Sequence, residues 1–286
     1  MKKWLKRVLV IVLLAVFLFS AGTVLVVSRQ YAESREGYEE ATAAFTISNS
    51  AASASGSAGA AEGGSAAAPG DGTDAASGGG EPSAAPAREL PPLRVDFAAL
   101  RAVNEDVVGW IYCEGTAISY PLVRGADNDY YLHRSYDRSR NAAGSIFMEE
   151  LNSPDFSDGN TILYGHNMRD GSMFAALQSW LEPSFYEAHP VLWLLTPEQD
   201  YRVELMAAYT TSADSESYTI FSAPCRELDD YALAAIDRSA FRPAVQPVAG
   251  ARWVLLSTCA YIFDSARYVL HGMLCPVDSA GGAPRA

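Results

Sequence analysis

The sequence predicts a mainly β domain of eight short strands, with a helix at its leading edge and a second helix in the long connection before the last two strands. Two observations predict it. Short apolar, β-branched and aromatic runs recur from about residue 110 to 274, each bounded by Gly, Asn, Asp or Pro, the pattern of strands separated by turns. Helical spacing interrupts this pattern only briefly, and the residues before about 93 have the wrong composition to join a packed core.

In order along the chain, Asp96 is placed to cap a short helix whose Phe97, Leu100 and Val103 form an apolar stripe. Strands are then expected over 110–113, 118–123, 145–148, 161–164, 191–195, 201–208, 252–258 and 267–274. Eight short strands point to a closed barrel or a sandwich. Met173, Phe174 and Leu177 have helical spacing, as do Leu228, Tyr231, Leu233, Ala235 and Ile236 in the long connection. The chain carries no internal repeat.

The flanks divide by composition. Residues 1–7 form a basic segment with Lys2, Lys3, Lys6 and Arg7, and residues 8–27 are almost wholly apolar, about the twenty needed to span a bilayer. The run reaching Val27 exceeds a usual signal core, and Ser20-Ala21-Gly22 is a weak cleavage site, so an uncleaved single-pass anchor is expected. The basic flank then stays cytoplasmic and everything after Arg29 lies outside the cell membrane. Residues 28–46 are a juxtamembrane segment. Residues 47–92 consist largely of Ala, Gly, Ser and Pro, a composition that buries too little apolar surface to order itself, so a disordered tether with a reach of roughly 35 to 40 Å is expected. Residues 93–277 are the folded domain and 278–286 a flexible tail.

A net charge of −13 argues against nucleic acid as a partner, because neutralising phosphate needs clustered Lys and Arg, and that cluster sits at the membrane. The four cysteines, Cys113, Cys225, Cys259 and Cys275, include no Cys-x-x-Cys pair, which argues against a zinc or thioredoxin-like site. An oxidising exterior permits one disulfide among Cys113, Cys225 and Cys275, with the pairing left open.

Residues 252–274 carry the most information. A cysteine, Cys259, ends one predicted strand, and an arginine, Arg267, begins the next. If the strands pair, the two sit at one sheet edge, with Arg267, Val269 and His271 sharing a face. Read alone, Cys259 fits either a nucleophile or a small core residue, and Arg267 either an oxyanion ligand or a surface ion pair with an acid such as Asp264. His166 follows an apolar strand and a glycine, where a ring can project from a strand end and exchange protons near neutral pH. His133 lies in a charged stretch, His189 precedes Pro190 in a turn, and His271, about 13 Å along the strand from Arg267, reads as structural.

Ser257-Thr258-Cys259 with Arg267 resembles the Thr-Cys and Arg signature of sortases, and Tyr164-Gly165-His166-Asn167-Met168 resembles their histidine motif in its class B form. The segments 104–111, 120–123, 127–132 and 144–147 resemble class B segments in the same order, so the resemblance spans roughly residues 93 to 277. It implies a mixed eight-stranded barrel with Cys259 as nucleophile, His166 as acid and base, and Arg267 as oxyanion ligand, helped by backbone amides. It also implies that Ser257 and Thr258, beside the nucleophile, and Asn128 and Leu132 line the peptide groove. The implied partners are secreted proteins bearing a C-terminal sorting signal like Asn-Pro-x-Thr and an amine on a peptidoglycan precursor. The implied reaction is cleavage after Thr, a thioacyl enzyme on Cys259, and transfer to that amine. These residues require no cofactor or metal. A pilin-joining enzyme with a lysine acceptor, a peptidase that passes the acyl group to water, and a non-catalytic wall-peptide-binding module are the alternatives.

Overall fold

The computed structural model describes residues 2–49, 90–260, 262 and 264–277. Helix α1 (Lys2–Phe45) leads into a short strand, β1 (Thr46–Ser48), which pairs antiparallel with β2 (Leu93–Val95). Helix α2 (Phe97–Val103) follows, and then the barrel strands β3 (Val107–Tyr112), β4 (Ser119–Val123), β5 (Ile146–Met148), β6 (Asn160–Tyr164), β7 (Val191–Leu195), β8 (Asp200–Ser212), β9 (Arg252–Cys259) and β10 (Ala266–Val277). Helices α3 (Pro183–Ala188) and α4 (Arg226–Arg238) lie in the connections. The eight strands close in the order β10-β8-β7-β3-β4-β5-β6-β9. The β4–β5 and β6–β9 pairs are parallel and the other six antiparallel, so the barrel is mixed.

Strand alternation divides the apolar residues between two environments. Val254, Leu256, Leu270 and Leu274 point inward and pack with Ile111, Leu122 and Leu163. Their neighbours Trp253, Leu255, Val269 and Met273 point outward beneath α4, which presents Leu228, Ala232 and Ala235 on one stripe. Both faces of β9 are therefore apolar, and burying Leu228 alone contributes about 1.5 to 3 kcal/mol. On the far side, Phe97 and Leu100 of α2 cover Trp110, Val123 and Trp193. The Asp96 carboxylate accepts from the Ala99 amide at 2.9 Å, a cap that contributes about 1 kcal/mol.

The strands extend beyond their apolar runs where a partner is present. β8 continues through the polar residues Thr210, Thr211 and Ser212 because each pairs with β10, and ladder hydrogen bonding does not require apolar side chains. The 173–177 spacing resolves as a 3-10 helix over Ala175–Leu181, preceded by Met173 with φ at 56°.

Helix α1 is long and apolar enough over its first part to cross a membrane. Its second part lies against the barrel. Tyr38 is buried, donates its hydroxyl to the Gly144 carbonyl at 2.5 Å and packs edge-on to Tyr120. Ser34 bonds Asn141, and Ala41 is buried beside Leu93. The Asn49 amide donates to the Pro92 carbonyl at 2.8 Å, and its side-chain amide donates to the Pro91 carbonyl at 2.7 Å. The intervening stretch 50–89, most of the 47–92 segment, lies outside the described residues, as does the 278–286 tail, but its two ends are held side by side.

Candidate active site

Two ladders align the three candidate residues. β9 pairs with β10 so that Cys259 stands opposite Arg267. β9 also pairs in parallel with β6, matching Ser257 to Tyr164. Two residues further along each chain come Cys259, at the end of β9, and His166, just past the end of β6, so parallel register brings them out at the same rim. Cys259 thus ends the middle strand of three, with the histidine strand on one side and the arginine strand on the other. By alternation Cys259 and Ser257 face outward while Thr258 faces inward. Cys259 is half-buried, whereas Ser257 and Thr258 are each only 2% exposed.

The rim is fixed by short contacts. The Asn167 side-chain amide donates to the Cys259 carbonyl at 2.7 Å, and the Gly165 amide donates to the Ser257 carbonyl at 3.1 Å. Gly165 is required by packing: a Cβ there would lie 2.5 Å from Ile146 Cδ1 and 2.8 Å from the Phe174 ring. The His166 Nε2 lies 2.7 Å from the Leu132 carbonyl oxygen. A carbonyl only accepts, so Nε2 carries the hydrogen, and in the neutral ring Nδ1 is the nitrogen left to take up a proton. His133 stacks on His166 with ring centroids 6.1 Å apart.

Arg267 donates Nη1 to the Ala266 carbonyl at 3.0 Å and has no carboxylate partner among the described residues, so Asp264 does not neutralise it. Its charge is felt at two half-buried tyrosines, Tyr164 and Tyr218. Burial, and then the Glu149 carboxylate that accepts from its hydroxyl at 2.8 Å, hold Tyr164 far above the usual tyrosine range despite Arg267. Burial raises Tyr218 too, with the Ser257 hydrogen bond and Arg267 opposing and Cys259 adding to the rise. The Tyr218 and Ser257 hydroxyls are 2.7 Å apart, and the Tyr164 and Tyr218 rings stack. Tyr218 therefore forms a wall of the site beside both Cys259 and Arg267, on a 3-10 turn (Glu216–Tyr218) that no local motif marks.

Of the other groove candidates, Leu132 supplies the carbonyl to His166 and is partly exposed. Asn128 donates Nδ2 to Glu149 at 2.9 Å and accepts from the Glu150 amide at 2.9 Å. Thr258 has a buried hydroxyl without a hydrogen-bond partner. His271 is buried on the outer side of β10 under α4, with Nε2 2.9 Å from the Tyr209 hydroxyl, and takes no part in the rim. All four cysteines are free. Among the described residues no group of His, Cys, Asp or Glu is arranged to hold a metal ion.

A closed mixed barrel of eight strands that carries a cysteine, a histidine and an arginine at one rim defines a sortase-like domain. The comparisons with known proteins agree. Residues 111–275 match the sortase domain family. The chain is 36% identical over 184 residues to sortase B of Listeria monocytogenes, covering 64% of this chain and 75% of that protein. It superposes on the Staphylococcus aureus sortase B–substrate complex with a TM-score of 0.59 at 31% identity, covering 64% of this chain and 85% of the other. On a sortase B complexed with triglycine it gives the same score and identity, covering 64% and 86%. The chain belongs to the sortase family, in its class B, and is a sortase transpeptidase.

Proposed function

We propose that this sortase is a membrane-anchored cysteine transpeptidase that cleaves a C-terminal sorting signal of the Asn-Pro-x-Thr kind and passes the acyl group to a peptidoglycan amine. The observation that carries this reading is the shared register of Cys259, Arg267 and His166 at one rim. The Cys259 sulfur, as thiolate, attacks the threonine carbonyl, and the oxygen that becomes negative is met by the guanidinium of Arg267, which no carboxylate among the described residues engages. The proton the thiol gave up is held on His166 Nδ1, and His166 passes it to the departing amine, leaving a thioester on Cys259 and a neutral imidazole. The acceptor amine then attacks that thioester, loses its proton to the imidazole and releases Cys259. Tyr218, Asn128 and Leu132 line the approach, Ser257, buried, braces Tyr218 from behind through its hydroxyl, and Thr258, facing inward, supports the strand.

The sortase B structures with substrate and with triglycine support a peptide donor and a glycine-type amine acceptor for this chain as well. The anchor is the apolar part of α1, with its basic start in the cytoplasm and the barrel outside. Because α1 runs on as a helix to Phe45 and then packs on the barrel, the rim is held at a set height above the bilayer. A 44-residue helix is about 66 Å long, enough to span the bilayer and reach the domain.

The test is mass spectrometry of the full chain in detergent, incubated with a small library of sorting peptides with and without triglycine. The expected result is a thioacyl adduct on Cys259 and a ligated product that depends on triglycine. A hydrolysed peptide unaffected by triglycine would make the protein a peptidase, and no adduct from the folded protein would make it a binding module.

A further inference from the structure

The mechanism leaves a buried carboxylate without a role. Glu149, the residue after β5, is 7% exposed. Its Oε2 accepts from the Tyr164 hydroxyl at 2.8 Å, and its Oε1 accepts from Asn128 Nδ2 at 2.9 Å and from the Leu151 amide at 3.3 Å. All three partners donate, which suits an ionised carboxylate, an acceptor at both oxygens. Two of them belong to segments that meet at His166. Tyr164, the last residue of β6, lies two residues before His166. Asn128 opens the turn that ends in Leu132 and His133, and the Leu132 carbonyl receives His166 Nε2–H. The turn is therefore pinned at its start by Glu149 and the Glu150 amide, and around Leu132 by the Ser145 and Asn141 amides on the Tyr131 and His133 carbonyls and by the buried Tyr131, so that what Glu149 adds is the placement of the entry to the turn.

We propose that Glu149 is a positioning residue: by tying Asn128 to Tyr164 it holds the 128–132 turn where the Leu132 carbonyl fixes the tautomer and tilt of His166. Without the clamp the turn has one anchor fewer on this side, and the carbonyl drifts from Nε2–H. A neutral imidazole released from that bond exchanges between its two tautomers, and Nδ1 is then protonated for part of the time, when it cannot accept the proton. The inference rests on His166 as the acid–base group, but its test does not need turnover.

The experiment is ¹⁵N NMR of the full-length protein in detergent, with histidine labelled and the ring resonances assigned by comparison with His166→Gln. Measured at the alkaline end of a pH series, where the ring shifts no longer change with pH, the wild-type ring should give well-separated Nδ1 and Nε2 shifts, typical of a single Nε2–H tautomer. In Glu149→Ala the two shifts should move toward each other. In Glu149→Gln, whose oxygen still accepts from Asn128 and whose amide can donate to the Tyr164 oxygen, they should stay near wild type. Asn128→Ala, at a half-exposed position, opens the same clamp and should reproduce the alanine result even if Glu149→Ala fails to fold. Where turnover is measured, kcat/KM in Glu149→Ala should fall on the order of ten- to a hundredfold and be rescued by Glu149→Gln. Unchanged His166 shifts in folded Glu149→Ala, or in Asn128→Ala should the first variant not fold, would reduce Glu149 to a stabilising loop contact and overturn the proposal. Failure of every sorting peptide in the preceding test would leave this spectroscopic result standing.

Discussion

Cys259 and Arg267 are direct cross-strand partners, the outermost pair of the β9–β10 ladder. An antiparallel pair holds its side chains on one face about 4.5 to 5.5 Å apart at Cβ, which sets a permanent cation beside the thiol without a dedicated loop. Arg267→Lys keeps the charge and loses the planar fork of donors, so kcat/KM on a sorting peptide should drop on the order of a hundred- to a thousandfold, the loss of an oxyanion ligand. Cys259→Ala should abolish adduct formation while stability stays within about 1 kcal/mol of wild type, since one small half-buried side chain replaces another. Steady-state kinetics and denaturant titration check both. A lysine variant within about threefold of wild type, a loss far below that of an oxyanion ligand, would show that the guanidinium never meets the oxyanion.

His271 gives a prediction about acid stability. Burial first, and then the Arg238 charge, push its imidazole down to about 3 from an ordinary value of 6.5. Below about 6.5 the unfolded chain takes up a proton that the folded one refuses until about pH 3. The contribution is complete above 6.5 and is lost as pH falls through that window, by up to about 1.4 kcal/mol per pH unit. His271→Gln cannot titrate. It should be less stable than wild type at pH 7 by about 1 to 2 kcal/mol, for the bond to Tyr209, with the gap closing between about pH 6 and 5 and the variant the more stable of the two by about pH 4. Urea melts at each pH test this, and a gap that widens on acidification would refute it. Its transpeptidation rate should match wild type, because His271 lies away from the rim.

The eight strands and the shared edge of Cys259 and Arg267 were legible because both depend on local signals, whereas the assignment of these two with His166 to one site came from the family resemblance. Alternating apolar runs between turn residues mark strands, and a strand-ending Cys259 followed by a strand-starting Arg267 marks a shared edge. Tyr218 was not legible, because its place beside Cys259 depends on how the 213–225 connection folds back over β9. Glu149 and Asn128 meet across 21 residues, a pairing no spacing rule encodes. The docking of α1 did leave a trace. Ser34, Tyr38, Ala41 and Phe45 recur at intervals of four, three and four, a helical stripe within a stretch read only as juxtamembrane. The β1–β2 pair was hidden because three-residue strands in an Ala- and Ser-rich context carry almost no pattern.

The paired ends of the 50–89 stretch predict that it can be removed. Asn49 and Pro92 already hydrogen-bond, so replacing residues 51–88 by Asn-Gly asks only that a tight turn close an existing ladder. Shortening a loop of about forty residues to about four should stabilise the β1–β2 pair by roughly 2 kcal/mol in closure entropy. The shortened protein should stay membrane-bound and transpeptidate at the wild-type rate. A large loss of activity on wall-attached acceptor, with soluble peptides and triglycine unaffected, would show instead that the stretch supplies reach.

Gly165 tests whether the rim tolerates displacement. A methyl group there overlaps the Ile146 side chain and the buried Phe174 ring. Both are fully buried, and forcing a methyl into a packed site costs about 1 to 3 kcal/mol. The displacement is transmitted, because the Phe174 amide donates to the His166 carbonyl at 3.0 Å and the Gly165 amide is bound to the Ser257 carbonyl. Moving Phe174 therefore pulls on the backbone of His166, and moving Gly165 pulls on the strand that carries Cys259. Gly165→Ala should lower kcat by about ten- to a hundredfold, the cost of misplacing a reacting group by an ångström or less, with a smaller change in KM, since Asn128 and Leu132 lie on another segment. A variant that loses stability yet keeps the wild-type kcat in its folded fraction would mean that His166 reaches its working position independently of the packing beneath it.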